Sequence, residues 1–128
     1  MHEAIVCVAS NTDDREVLIE AFKARVVGEI DATATFSPIY STLSITDGIT
    51  PYNNMVGCIN CSQDMEELGA LMKRWEREAG RIAHCKSVPL DIDIVVFDGQ
   101  VVRPRDFAQE YFKTGYRALD QVRSRREI

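Results

Sequence analysis

Basic residues are in short supply in this chain. Its 15 lysines and arginines face 20 aspartates and glutamates, for a net charge of −5. That balance disfavours a nucleic-acid partner, whose phosphates are met by cationic surface. It leaves room for a small phosphorylated ligand held by local charge. Long apolar runs are missing as well: none reaches membrane-spanning length. The N-terminal stretch MHEAIVCVASN lacks the basic region and apolar core of a secretion signal. The expectation is a cytoplasmic protein, monomeric or weakly dimeric, with no nucleic-acid or membrane partner. Zinc-site spacing is also lacking. The four cysteines are Cys7, Cys58, Cys61 and Cys85. Cys58 and Cys61 sit in the apolar run MVGCINC, where residues i and i+3 of a strand face opposite sides, and no second C-x-x-C or histidine pair completes a tetrahedral site. Reduced thiols buried in the core are expected. With no repeat, linker or low-complexity segment, residues 1–128 make one domain.

What is present is a regular alternation of strand and helix patterns. Glu3–Ala9 is rich in valine and isoleucine and reads as a first strand. Asn11–Asp14 offers capping residues to a helix whose apolar set is Val17, Leu18, Ala21, Phe22 and Val26, ending near Val27 and Gly28. EIDATATFSPIYST reads as a second strand, LSITDGITPYNN as a loop and NMVGCINCS as a third strand. Ser62 then caps a second helix with Met65, Leu68, Leu71, Met72 and Trp75 on one face and Gly80 as its stop. Asp91–Phe97 follows as a strand, DGQ as a tight turn, and Val101–Val102 as a short return strand. The remaining tail reads as one helix with basic residues in its last turn, opposing the helix dipole. The order β-α-β-β-α-β predicts an α+β, ferredoxin-like split βαβ sandwich: an antiparallel sheet with its helices on one face.

The chemistry concentrates in SVPLDIDIVVFDG. Asp91 and Asp93 stand two apart at the mouth of an apolar strand, so they share a face. Two carboxylates that close repel each other, and burying either costs free energy without a partner. A lysine, an arginine or a metal ion is expected between them. Mg²⁺ suits paired carboxylate oxygens, filling its other positions with water and substrate phosphate.

These residues also carry a family resemblance. PLDIDIVVFDGQVV resembles the signature strand of 6-hydroxymethyl-7,8-dihydropterin pyrophosphokinases, enzymes of folate biosynthesis. ASN at Ala9–Asn11, PYNNMV at Pro51–Val56 and WEREAGR at Trp75–Arg81 resemble three further motifs of that family, in the same order. The resemblance covers roughly residues 1–103. It implies transfer of pyrophosphate from ATP to the pterin hydroxymethyl group, with release of AMP. It implies two Mg²⁺ ions with ATP on Asp91 and Asp93, and a catalytic role for Arg81. It places Thr42, Leu43, Ile45, Tyr52, Asn54 and Tyr116 on the dihydropterin and Glu76, Lys86 and Ile94 on the nucleotide. An asparagine amide, donor and acceptor together, complements the amide-like edge of a pterin.

The chain departs from the pattern in its cations. Between Arg81 and Leu90 it offers only His84 and Lys86, and Val88 stands where an arginine is usual. The family's Pro-His pair is replaced by RPRDFAQEYF, in which Arg103 and Arg105 are the nearby cations. Two alternatives therefore stay open: a non-catalytic relative that binds a pterin or nucleotide, and a metal-dependent phosphoryl or nucleotidyl transferase with another substrate.

Overall fold

A computed structural model describes the backbone of residues 1–127 and the side chains of residues 1–124. The elements in chain order are β1 (His2–Ser10), α1 (Arg15–Glu29), β2 (Thr35–Phe36), β3 (Tyr40–Leu43), β4 (Pro51–Cys61), α2 (Met65–Glu78), β5 (Asp91–Phe97), β6 (Gln100–Val101), α3 (Pro104–Phe107) and α4 (Glu110–Glu127). The strands form one antiparallel sheet in the order β2-β4-β1-β5-β6, and β3 pairs with β4 beyond β2. This is the α+β, ferredoxin-like arrangement expected. No helix among the described residues is long and apolar enough to cross a membrane.

Strand alternation divides the core in two. Ala4, Val6 and Val8 of β1 face α1 and α2, packing with Ile19, Phe22, Leu68 and Met72. Ile5 and Cys7 face the other way, into a cluster with Val56, Val95, Phe112 and Leu119. Both helices of the split βαβ unit thus lie on one face. The C-terminal helix α4 covers the opposite face, a position the sequence pattern did not assign. Cys58 and Cys61 fall in different clusters, as their spacing requires, and all four cysteines are free, with only Cys85 exposed.

Several boundaries differ from expectation. Of the stretch read as the second strand, Glu29 ends α1, residues 30–34 form a turn, and the rest is two short strands broken at Ser37–Pro38, while residues 51–54, read as loop, begin β4. Proline has no N–H to give the ladder, and the Ser37 hydroxyl accepts the Val56 N–H at 3.0 Å in the gap. Helix α2 is capped by Asp64, not Ser62. Asp64 accepts from the Glu67 N–H at 2.8 Å while the Glu67 carboxylate accepts from the Asp64 N–H at 3.2 Å, a reciprocal capping box. The tail is two helices, because Pro104 starts one turn of its own and Gln109 opens the next. The basic side chains of the last turn, Arg125 and Arg126, lie outside the described side chains.

Helix α4 sits unusually close to the sheet at Gly115, where a Cβ would collide with the Tyr40 hydroxyl and Val56. The Tyr40 hydroxyl donates to the Tyr111 carbonyl and fastens the start of α4 to β3. Strand β5 carries a bulge: Ile5 pairs with Val96 but Val6 pairs with Ile94, leaving Val95 as an extra residue.

Candidate active site

The face covered by α4 changes character along its length. On β4 it runs from Cys58 and Val56 to Asn54 and Tyr52. On β5 it runs from Val95 to Asp93 and Asp91, and on β1 from Ile5 through Cys7 to Ala9. Helix α4 seals the apolar end; the polar end opens into a cavity of about 280 Å³. Register makes this convergence: Asp91 pairs with Ala9, Ala9 pairs with Asn54, and Asn54 pairs with Tyr40. Asp91, Asp93, Tyr52 and Asn54 line the cavity, and the β3–β4 hairpin brings Thr42, Leu43 and Ile45 to its rim. Arg103, Asp106 and Tyr111 close it from the α3–α4 side.

Each wall is fixed by a few bonds. Buried Asn54 donates through Nδ2 to the Thr42 hydroxyl at 2.7 Å, and its Oδ1 has no hydrogen bond among the described residues. Tyr52 accepts at its hydroxyl from Asn11 Nδ2 at 3.2 Å. The same Asn11 side chain donates to the Lys86 carbonyl at 2.8 Å and accepts from the Val88 N–H at 2.7 Å. It therefore joins the Tyr52 wall to the segment that follows Arg81.

The two aspartate carboxylates carry no hydrogen bond among the described residues, and their one ion pair there is Arg103 Nη2 to Asp93 Oδ1 at 3.6 Å. Burial first, and then the Asp91 charge, raise the Asp93 carboxyl to about 7. Burial, followed by the charge of Asp93, pushes the Cys7 thiol far up, so it faces the pair as a neutral group. No group of three or more histidine, cysteine, aspartate or glutamate side chains among the described residues is set to hold a metal alone. Two hard, under-neutralised carboxylates nevertheless fit Mg²⁺ whose remaining positions come from water and phosphate.

A second cavity of about 270 Å³ lies round the edge of β5, lined by Ile94, Met72, Lys73 and Val102 and sharing Asp93 and Arg103 with the first. It exists because β6 pairs β5 only at Val96 and Phe97. Glu76 closes the edge between the aspartates: its Oε2 accepts the Ile92 N–H at 2.7 Å, and it is only 5% exposed.

The sequence-derived candidates thus separate. Asp91, Asp93, Thr42, Leu43, Ile45, Tyr52 and Asn54 meet in the first cavity, and Ile94 lines the second. Glu76 lies under β5 and lines neither. Tyr116 packs on Phe112 and Phe107, away from the first cavity; the aromatic side chain from α4 that reaches it is Tyr111. Lys86 is exposed on the connecting segment. Arg81 follows Gly80 at the end of α2, its Nη1 buried without a hydrogen-bond partner among the described residues. Asp106 and Tyr111 were not legible as site residues, since only the break between α3 and α4 turns them inwards. The bridging role of Asn11 depends on the path of the 82–88 segment, which no local pattern specifies.

A family model described as 7,8-dihydro-6-hydroxymethylpterin-pyrophosphokinase matches residues 5–120. No curated protein matches the chain. Among solved structures, the C-terminal domain of the MgtC protein from Mycobacterium tuberculosis is similar at 10% identity and a TM-score of 0.45, over 80% of this chain and 95% of that one.

Proposed function

The chain belongs to the 7,8-dihydro-6-hydroxymethylpterin-pyrophosphokinase family, and we propose that it transfers pyrophosphate from ATP to the hydroxymethyl group of the dihydropterin, releasing AMP. The observation that carries this reading is the shared wall of the two cavities. Asp93 and Arg103 border both. A heterocycle in the first cavity and a nucleotide in the second would meet at the carboxylate pair.

The residues divide the work accordingly. The unpaired Asn54 Oδ1 accepts from a ring N–H, and Tyr52 and the Thr42–Ile45 rim enclose the ring. Lys73, Ile94 and Met72 meet the nucleotide. Asp91 and Asp93 would hold two Mg²⁺ ions, which when bound supply charge neutralisation at the phosphate oxygens. The pterin hydroxyl attacks the β-phosphorus in line; its proton leaves to solvent and AMP departs. Arg103, and Arg81 once its free Nη1 turns to a phosphate, offset the charge that spreads over the transferred oxygens.

A non-catalytic binding relative is the second reading. What favours it is that Arg103, already paired to carboxylates, is the one lysine or arginine among the described residues lining the first cavity. AMP release from ATP, with and without 6-hydroxymethyl-7,8-dihydropterin, separates the two. The proposed activity gives AMP only with the pterin present and falls steeply in Arg81→Ala. Pterin binding by calorimetry without AMP would establish the second reading, and neither binding nor AMP would overturn both.

A further inference from the structure

We propose that Asp106, braced by Tyr111, is a holding position for the Arg103 guanidinium, which it draws off Asp93 when a divalent cation occupies the carboxylate pair. The inference deepens the reading above and rests on it for the identity of the carboxylate pair.

The geometry is asymmetric. Arg103 Nε donates to Asp106 Oδ2 at 2.6 Å, whereas Arg103 Nη2 stands 3.6 Å from Asp93 Oδ1, beyond hydrogen-bond length. The cation already leans towards Asp106 while still neutralising Asp93. The other oxygen of Asp106, Oδ1, accepts from the Tyr111 hydroxyl. Both Asp106 oxygens are therefore engaged, which suits this third carboxylate to orienting a cation and not to joining a metal's ligand set. Asp93 and Asp106 side chains are 18% and 17% exposed, against 50% for Arg103. The two carboxylates are largely enclosed, whereas half of the Arg103 side chain is open to solvent and has room to pivot about its bond to Asp106. A guanidinium fork matches a carboxylate and a phosphate oxygen equally well, so an Arg103 parked on Asp106 keeps donors facing the wall common to both cavities. A metal arriving at Asp93 displaces a neighbour already half committed elsewhere, and the displaced charge stays beside the phosphates.

A double-mutant cycle on Mn²⁺ binding, read by the paramagnetic resonance of the free ion with no nucleotide present, tests this. Asp106→Asn frees Arg103 to settle fully on Asp93, and Mn²⁺ affinity should fall roughly tenfold, the scale of one close charge pair. In the Arg103→Met background the same substitution should change affinity less than about twofold. Tyr111→Phe, which keeps the ring and loses the brace, should shift Mn²⁺ affinity in the same direction as Asp106→Asn. An equal loss in both backgrounds means that Asp106 acts only through its field, and no loss in either means that it holds nothing; both results overturn the proposal, as does a parent that binds no Mn²⁺. Calorimetry with a non-hydrolysable ATP analogue keeps the two readings apart. Coupling in the cycle without nucleotide binding sinks the pyrophosphokinase reading alone, and nucleotide binding with an additive cycle sinks the holding position alone.

Discussion

At the scale of single residues, Asp93 sets a condition on when the site is ready. The folded protein keeps its proton up to about pH 7, whereas an unfolded chain releases an aspartate proton near pH ~3.9. Between these values the folded state binds more protons than the unfolded one. This carboxyl therefore makes stability fall as pH rises through that window and level off above it. Asp93→Asn removes the effect. At pH ~7.5 the ligand-free variant should be more stable than the parent by about 1–3 kcal/mol, with little difference at pH ~4. Urea unfolding at both pH values decides it, and a variant with the parent's pH profile would remove burial of Asp93 as the cause. The shared face of Asp91 and Asp93 was readable from spacing alone. Their burial was not, because it depends on Cys7, Asp106 and α3, which arrive from distant parts of the chain.

At the scale of elements, the mouth of β5 is an unpaired strand edge held by one side chain. Glu76 receives the Ile92 N–H, the amide lying between the two aspartates. Glu76→Ala strands that N–H in a dry setting, at a cost of about 1–3 kcal/mol in stability. Glu76→Gln keeps an acceptor and should recover most of it. Chemical denaturation of the two variants measures the difference; equal losses would mean that Glu76 matters for its charge and not for the bond. The resemblance put Glu76 beside a nucleotide, but nothing local marks it for this buried bond, because a charged residue on an amphipathic helix ordinarily reads as a solvated one. The elements with strong periodicity, β1, α2 and β5, were legible within a few residues. The segment from Glu29 to Thr42 was not: its alternating small and β-branched residues read as one strand, whereas Asp31 holds a turn before β2 and Ser37–Pro38 break what remains.

At the scale of the whole molecule, the sheet serves two layers, and only one was foreseeable. Helices α1 and α2 announce their layer through the split βαβ order. Helix α4 follows a turn and a one-turn helix, and no rule of chain order assigns it a face. Yet its Phe112 and Leu119 are fully buried against Ile5, Val56 and Val95. Phe112→Ala should destabilise the protein by about 3–5 kcal/mol through lost burial and a residual cavity. Because α4 also carries Tyr111 to the cavity, the same variant should lose the pterin affinity proposed above at temperatures where it remains folded. A variant that unfolds like the parent would mean that α4 is not part of the cooperative core.

The bulge at Val95 gives β5 a spare letter in its reading frame. Without that residue the strand would run Asp91, Ile92, Asp93, Ile94, Val96, Phe97 with unbroken alternation, and every remaining side chain would keep the face it has now. Ile92 has no such redundancy: taking it out shifts Asp91 by one position and turns its carboxylate from the cavity into the layer of α1 and α2. The chemical end of the strand and its structural end are thus separated by one dispensable position, so length changes on the far side of Val95 can be absorbed before they reach the aspartates.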